Sequence, residues 1–506
     1  MPMLIIHPPL TKPCEPPAAL AYLSAILAAH NHPCTVIDMN IEGIHSLFET
    51  PEPANDTWSR RALKAKEKNI EALQSPDIYL NLDRYKRAVS DLNRILENEG
   101  NRFNIQLSFG NYVDRQKSPL KSSDLLLAAQ QPETNIFFPY FSRRLKEMVT
   151  LHHPTTIGIS LNYLSQALCS FSLIGLIRSL FPEIKIILGG GLITTWLSNP
   201  SWEDPFPDLV DKYISGKGEE PLLNFLGIQS TIKYAPPSYT DLVDNRYLSP
   251  GFVLPYTTST GCFWKKCSFC PEKTENSRYR HVPPATTVQD IETLGHQTRP
   301  ALIHFLDNAV SPATMKALCD NPPGIPWYGF ARIDAQLGSK DFCISLSNSG
   351  CTMLKLGLES GNQAVLDSME KGIDLDMASR VLENLHAAGI ATYVYLLFGT
   401  PSETEKEARQ TLSFVEKHHE HISFLNLAIF NLPICSTETA FLEISEFYDG
   451  DLSIYRNFTH PQGWNRRAVR NFLDMTFKRS PAVAAILKRD PPFFTSNHAP
   501  FFPLVF

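Results

Sequence analysis

The stretch Thr260-Gly261-Cys262-Phe263-Trp264-Lys265-Lys266-Cys267-Ser268-Phe269-Cys270-Pro271 holds three cysteines, with four residues in the first gap and two in the second. Three thiolates this close can wrap three corners of an iron–sulfur cube and leave the fourth iron without a protein ligand. A small molecule with an amine and a carboxylate can bind there and receive an electron. The competing chemistry is a structural zinc site. Zinc takes four ligands, and His281 offers itself as the fourth. Spacing alone admits both.

The elements around the motif bear on the choice. An apolar run, Phe252–Ser259, leads straight into it. Five more follow with helical segments between them: Ala301–Leu306, Pro326–Ala331, Met353–Leu358, Ala391–Phe398 and Ser423–Phe430. Asp374 or Asp376 is predicted to cap one helix, with Gly389 as its stop, and Ser402 with Glu405 a capping box for the next. Six βα units predict a barrel-like α/β domain, with its site where the strands end. Polar groups and glycines do gather there: Asp307-Asn308, Arg332, Glu359-Ser360-Gly361 and Gly399. This setting favours the cluster over zinc.

Upstream, the runs Met3–Ile6, Cys34–Asp38, Thr156–Ser160, Ile184–Leu188 and Lys212–Ile214 read as strands. Pro16–His30 and Ser165–Phe181 read as helices, and another begins near Glu219. The alternation predicts an α/β fold with a Rossmann-like parallel sheet. It is broken at about 44–148 by a charged, helical-looking insertion. Residues 231–250 have linker composition. The expected organisation is an N-terminal domain over 1–235, a core over 245–439 and an aromatic, basic C-terminal extension over 440–506.

Composition narrows the class. The 506-residue chain is 43% hydrophobic and 19% charged, as in globular proteins, and its net charge of -6 gives no case for a nucleic-acid partner. The longest apolar run, Ala18–Ala29, is too short to span a bilayer. The N-terminus lacks the pattern of a secretory signal, so a cytoplasmic protein with mostly reduced cysteines is expected. Cys319, Cys343 and Cys351 read as core residues rather than ligands.

The segment from about Phe252 to Phe430 resembles the core of the radical S-adenosylmethionine (radical SAM) superfamily, which implies a partial (β/α)6 barrel. The matching pieces are the cysteine motif, Leu306-Asp307-Asn308, Gly329–Asp334, Leu356–Gly361, Met369-Glu370-Lys371-Gly372 and Phe398–Thr404. The family's usual first gap is three residues; here it is four. The resemblance implies a [4Fe–4S] cluster on Cys262, Cys267 and Cys270. It implies reductive cleavage of S-adenosylmethionine to a 5′-deoxyadenosyl radical, with an electron donor such as flavodoxin or ferredoxin. It also implies that Phe269 and Gly399 meet the adenine, and Glu359 and Ser360 the ribose or amino-acid part.

The first 235 residues resemble the cobalamin-binding domain that precedes many such cores. Ser160, Gly189, Gly190 and Gly191, with Gly216 and Glu219 beyond them, would line the cobalamin tail. No Asp-x-His-x-x-Gly motif occurs, so a histidine ligand below cobalt is not expected. The implied activity is cobalamin-dependent methylation of an unactivated carbon. Two alternatives stay open: a radical rearrangement or oxidation without functional cobalamin, and a zinc-stabilised binding protein without turnover.

Overall fold

A computed structural model describes residues 2–49, 51, 56–229, 234–244, 246–275, 277–446 and 450–503. Parts of the expected linker (231–233, 245) and of the C-terminal extension (447–449, 504–506) lie outside the described residues. The chain divides into two compact units. One comprises residues 1–252 with 448–454, the other 253–447 with 455–506.

The first unit is built on five parallel strands: β1 (Met3–His7), β2 (Cys34–Asp38), β3 (Thr156–Ser160), β4 (Lys185–Gly189) and β5 (Lys212–Ile214). β1 and β3 are buried at every position, as strands covered on both faces must be. Helix α1 (Ala18–Ala29) links the first two strands, and α2 (Leu164–Leu180), buried from Gln166 to Ile177, follows β3. Short α3 (Gly191–Leu197) and α4 (Glu219–Phe225) follow β4 and β5. The strand order is β2-β1-β3-β4-β5. The winding reverses between β1 and β3, and open sheets of this kind bind ligands at the carboxyl ends beside such a switch point.

The stretch expected to be a helical insertion contains helices Thr57–Leu73 and Leu82–Arg102. Asp56 caps the first by accepting from the Ser59 N–H. It also contains an antiparallel hairpin, Ile105–Ser108 with Asn111–Asp114, which the sequence reading had not anticipated. Its strands are only four residues long and half polar, too short for a period-two signal to register.

The second unit carries six parallel strands: β6 (Val253–Tyr256), β7 (Leu302–Phe305), β8 (Trp327–Ala331), β9 (Cys351–Glu359), β10 (Ala391–Phe398) and β11 (Phe424–Ile429). Each pairs with the next in chain order, and among the described residues β6 and β11 do not pair with each other. The sheet is thus an open (β/α)6 half-barrel. Helix α5 (Leu375–Ala387) is capped by Asp374, and Gly389 follows its end with φ +74°.

The next helix, α6 (Glu405–Lys417), corrects the expected capping box: the pair is Thr404 with Glu407, not Ser402 with Glu405. Glu403 turns inward to accept the Gly399 N–H at 2.5 Å, which delays the helix by two residues. Beyond the half-barrel lie a small antiparallel sheet with Tyr455–Phe458 at its centre and helix α7 (Arg466–Met475). Val469, Phe472, Leu473 and Trp464 are buried here, so many of the extension's aromatics serve packing.

Candidate active site

The cysteine loop leaves β6 through a narrow neck. Ser259-Thr260 pairs antiparallel with Arg280-His281, closing the excursion between them. Asp307, just past β7, fixes the neck by accepting the Thr258 N–H at 2.9 Å and the hydroxyls of Thr258 and Ser259 at 2.6 and 2.5 Å. Burial pushes its carboxyl above the ordinary range, against those hydrogen bonds. Gly261 has φ +72°, and a Cβ there would lie 3.0 Å from the Arg278 carbonyl. Only glycine fits that crossing.

The extra residue of the first gap is absorbed at Lys265, which takes a left-handed conformation with φ +48°. Trp264 then anchors the loop. Its indole N–H donates to the Glu370 carbonyl at 3.1 Å, and the Arg332 guanidinium lies 3.8 Å from its ring centroid. The ring occupies space that a side chain at Gly372 would take. Arg332 in turn donates to the carbonyls of Lys371 and Gly372. The Ser268 N–H donates to the Met369 carbonyl at 3.0 Å, and Lys273 reaches Glu370 at 3.0 Å. The segment 369–372 therefore braces the whole loop.

Cys262, Cys267 and Cys270 are half-buried free thiols. Burial raises the Cys267 thiol, while Lys371 and Arg332 pull it down; Arg332 also donates a hydrogen bond to it. Burial pushes the Cys270 thiol up to about 11. Thiol-only donors with two cations alongside suit an anionic iron–sulfur cluster. His281 is exposed in the neck with its ring stacked on Tyr279. Among the described residues, the group whose donors close within 4.8 Å of one another is Glu383, His418 and His421, not the cysteines with His281.

Glu359 ends β9 with φ +68°, beside a register shift against β10. A glutamate in that region is strained, and such strain concentrates at functional sites. Lys371 holds its carboxylate at 2.8 Å and lies 5.6 Å from the Phe269 ring centroid. Phe269, Glu359 and Cys267 thus meet around Lys371. Ser360 does not join them. It is fully buried, its hydroxyl bonded to Thr411 of α6 and to the Asn362 N–H.

Gly399 lies in a cavity of about 540 Å³ that also takes in His460, Arg466, Arg467 and Arg470. Burial pushes Glu403, beneath Gly399, up to about 7 against the Gly399 N–H and the Trp464 indole N–H.

In the first unit Ser160 and Gly189-Gly190-Gly191 come together where β3 and β4 end. The Leu161 N–H donates to the Gly189 carbonyl at 2.7 Å. Asn162 donates to the Ser160 hydroxyl at 3.1 Å and accepts the Gly191 N–H at 3.0 Å. Gly190 has φ +114°, and a Cβ there would fall 2.4 Å from the Leu161 carbonyl oxygen. The Gly216 N–H donates to Thr194 of α3 at 2.8 Å, and nothing stands within 4 Å of where its Cβ would be. Glu219 starts α4 and faces Lys217 at 4.0 Å. The bare backbone at these strand ends fits close approach by a bulky cofactor.

Sequence reasoning passed over Trp264, Glu403 and Asn162, and quoted Lys371 without giving it a role. An aromatic inside a lengthened cysteine gap was the available signal for the first.

A half-barrel with a three-cysteine loop after its first strand defines a class, and residues 256–415 match the family model of the radical SAM superfamily. The second unit therefore contains a radical SAM domain. The chain is 31% identical over 256 residues to bacteriochlorophyllide d C-12(1)-methyltransferase of Chlorobaculum tepidum, covering 46% of this chain and 54% of that protein. It is 22% identical to an uncharacterized methyltransferase of Pyrococcus horikoshii, covering 38% of this chain and 42% of that one. The chain spans about half the length of these curated relatives.

Among solved structures it resembles the radical S-adenosylmethionine methyltransferase TsrM from Kitasatospora setae, solved with cobalamin and a [4Fe–4S] cluster. The TM-score is 0.53 at 15% identity, over 85% of this chain and 75% of that one. It also resembles the cobalamin-dependent radical enzyme OxsB, with TM-score 0.56 at 14% identity, over 94% and 67%. At these identities the likeness is one of fold.

Proposed function

We propose that the protein is a radical SAM enzyme that methylates an unactivated carbon with the help of cobalamin. The observation that carries this reading is the three-thiol loop, braced by residues 369–372 with Arg332 and Lys371 beside Cys267. It is supported by the open glycine-rich strand ends of the N-terminal unit and by methyltransferase relatives. When bound, the cluster supplies an electron to split S-adenosylmethionine, and cobalamin supplies a methyl carrier.

The chain's own residues bind, orient and exclude water. Cys262, Cys267 and Cys270 would hold the cluster. Arg332 and Lys371 offset its negative charge, and Lys371 fixes the orientation of Glu359 toward a ribose hydroxyl or an ammonium. Phe269 offers its face to adenine. Ser360 positions the turn that carries Glu359 rather than touching a ligand. Ser160 and Gly189-Gly190-Gly191, with Gly216, would receive the cobalamin tail. Arginines beside Gly399 favour a substrate with an anionic group, and bacteriochlorophyllides are one class to assay. The reductant is a one-electron donor of the flavodoxin or ferredoxin type. Among the described residues no helix is long and apolar enough to cross a membrane.

Anaerobic purification with cobalamin supplied, followed by iron, sulfide and cobalt analysis, tests the reading. We expect a brown protein that retains cobalt and transfers label from methyl-labelled S-adenosylmethionine. Cluster without cobalt or methyl transfer would favour a rearrangement or oxidation. A colourless zinc protein would remove the radical reading.

A further inference from the structure

The half-barrel carries a second group of metal-ligating side chains, unrelated to the cysteine loop. Helix α5 contributes Glu383, the end of α6 contributes His418, and the short turn after it His421. One donor atom from each lies within 4.8 Å of the other two. His418 is 2% exposed. Its Nε2 meets the Ser379 hydroxyl at 3.0 Å, one helical turn before Glu383 on α5. The Nδ1 atoms of His418 and His421 are both buried without a hydrogen-bond partner.

Two buried imidazole nitrogens without partners are costly unless something occupies the space between them. A proton cannot serve both in comfort. Ser379 on Nε2 fixes which nitrogen is left for a ligand, as the partners that orient metal-bound histidines do.

We infer that Glu383, His418 and His421 form a binding site for a divalent zinc-like ion on the α5–α6 side of the half-barrel. Two imidazoles and a carboxylate suit such an ion, with a fourth position open to water. Bound there, it would tie the last turn of α5 to the end of α6 and the turn after it, alongside the Ser379–His418 hydrogen bond and the His386–His421 ring contact.

The test uses the full chain, reconstituted anaerobically with iron and sulfide and then dialysed against zinc chloride buffered by a chelator at micromolar free zinc. We expect one zinc per chain, with nitrogen and oxygen but no sulfur in its X-ray absorption first shell. Glu383→Gln, at an exposed position that leaves folding intact, and His421→Ala should each weaken zinc retention at least tenfold while leaving iron content unchanged. Cys267→Ala should lose iron and keep the zinc. The inference fails if the wild-type chain retains no zinc, if both site variants retain it undiminished, or if it is lost with Cys267→Ala and shows sulfur ligands.

Discussion

The two candidate sites are built by opposite means. In the half-barrel, side chains form the candidate site: three thiols, Trp264 as anchor, and Arg332 and Lys371 as neighbouring charge. In the N-terminal unit the candidate site is formed by missing side chains, with Gly190 pressed against the Leu161 carbonyl and Gly216 standing open. A ligand site made of donors tolerates changes in its surroundings but not the loss of a donor. A site made of bare backbone has no donor to lose and fails when anything is added.

Five substitutions probe that contrast. Cys267→Ala should have the largest effect: no cluster retained on reconstitution and no 5′-deoxyadenosine formed, with cobalamin binding intact. Retained turnover would remove the cluster assignment. Gly190→Ala should do the reverse. It forces a Cβ to 2.4 Å from a backbone oxygen at a positive φ, which costs on the order of 4 kcal/mol. Cobalt retention should fall while iron content in the folded fraction stays at the wild-type level. Equal loss of both metals would show that the sites are not separable.

Each unit also buries one carboxyl pushed up to about 7. Asp38 is held by Tyr247 and the Asn40 and Ile41 N–H groups, and Glu403 by Gly399 and Trp464. Both acids keep their protons longer in the folded chain than in the unfolded one. Their contribution to stability is thus complete below about pH 4 and shrinks as pH rises to about 7, by about 4 kcal/mol for Asp38 and about 3 kcal/mol for Glu403. Asp38→Asn and Glu403→Gln should each flatten the decline in denaturant midpoint between pH 4.5 and 8. A slope unchanged in both would overturn the assignment. The smallest effect should come from Trp264→Ala. Removing about 1–2 kcal/mol of bracing should speed iron loss to a chelator roughly tenfold, without abolishing reconstitution.

Legibility differed between the two sites for a physical reason. Cysteines at short spacing and six apolar runs are local signals, so Cys262, Cys267, Cys270 and the strands that carry them could be read directly. The braces could not. Trp264 and Lys371 lie over 100 positions apart, and only folding shows that one loop leans on the other. Ser360 looked like its neighbour Glu359, yet consecutive residues at a strand end face opposite ways, and Ser360 turned to α6. Glu403 hid the true start of α6 by folding back to Gly399. In the N-terminal unit the glycines were visible, but Asn162, which joins the two strand ends, carried no signal of its own.

The bracing of the cysteine loop has a consequence for wear. The Gly261 crossing, the Trp264 anchor and the bonds from Ser268 and Lys273 to residues 369–370 do not involve a metal. The loop's shape therefore rests on contacts within the chain, unlike a small zinc module that unravels without its ion. Were a cluster held there and destroyed by oxygen, the loop would remain a receptacle rather than a misfolded chain. Such damage would be repairable by refilling, without new synthesis.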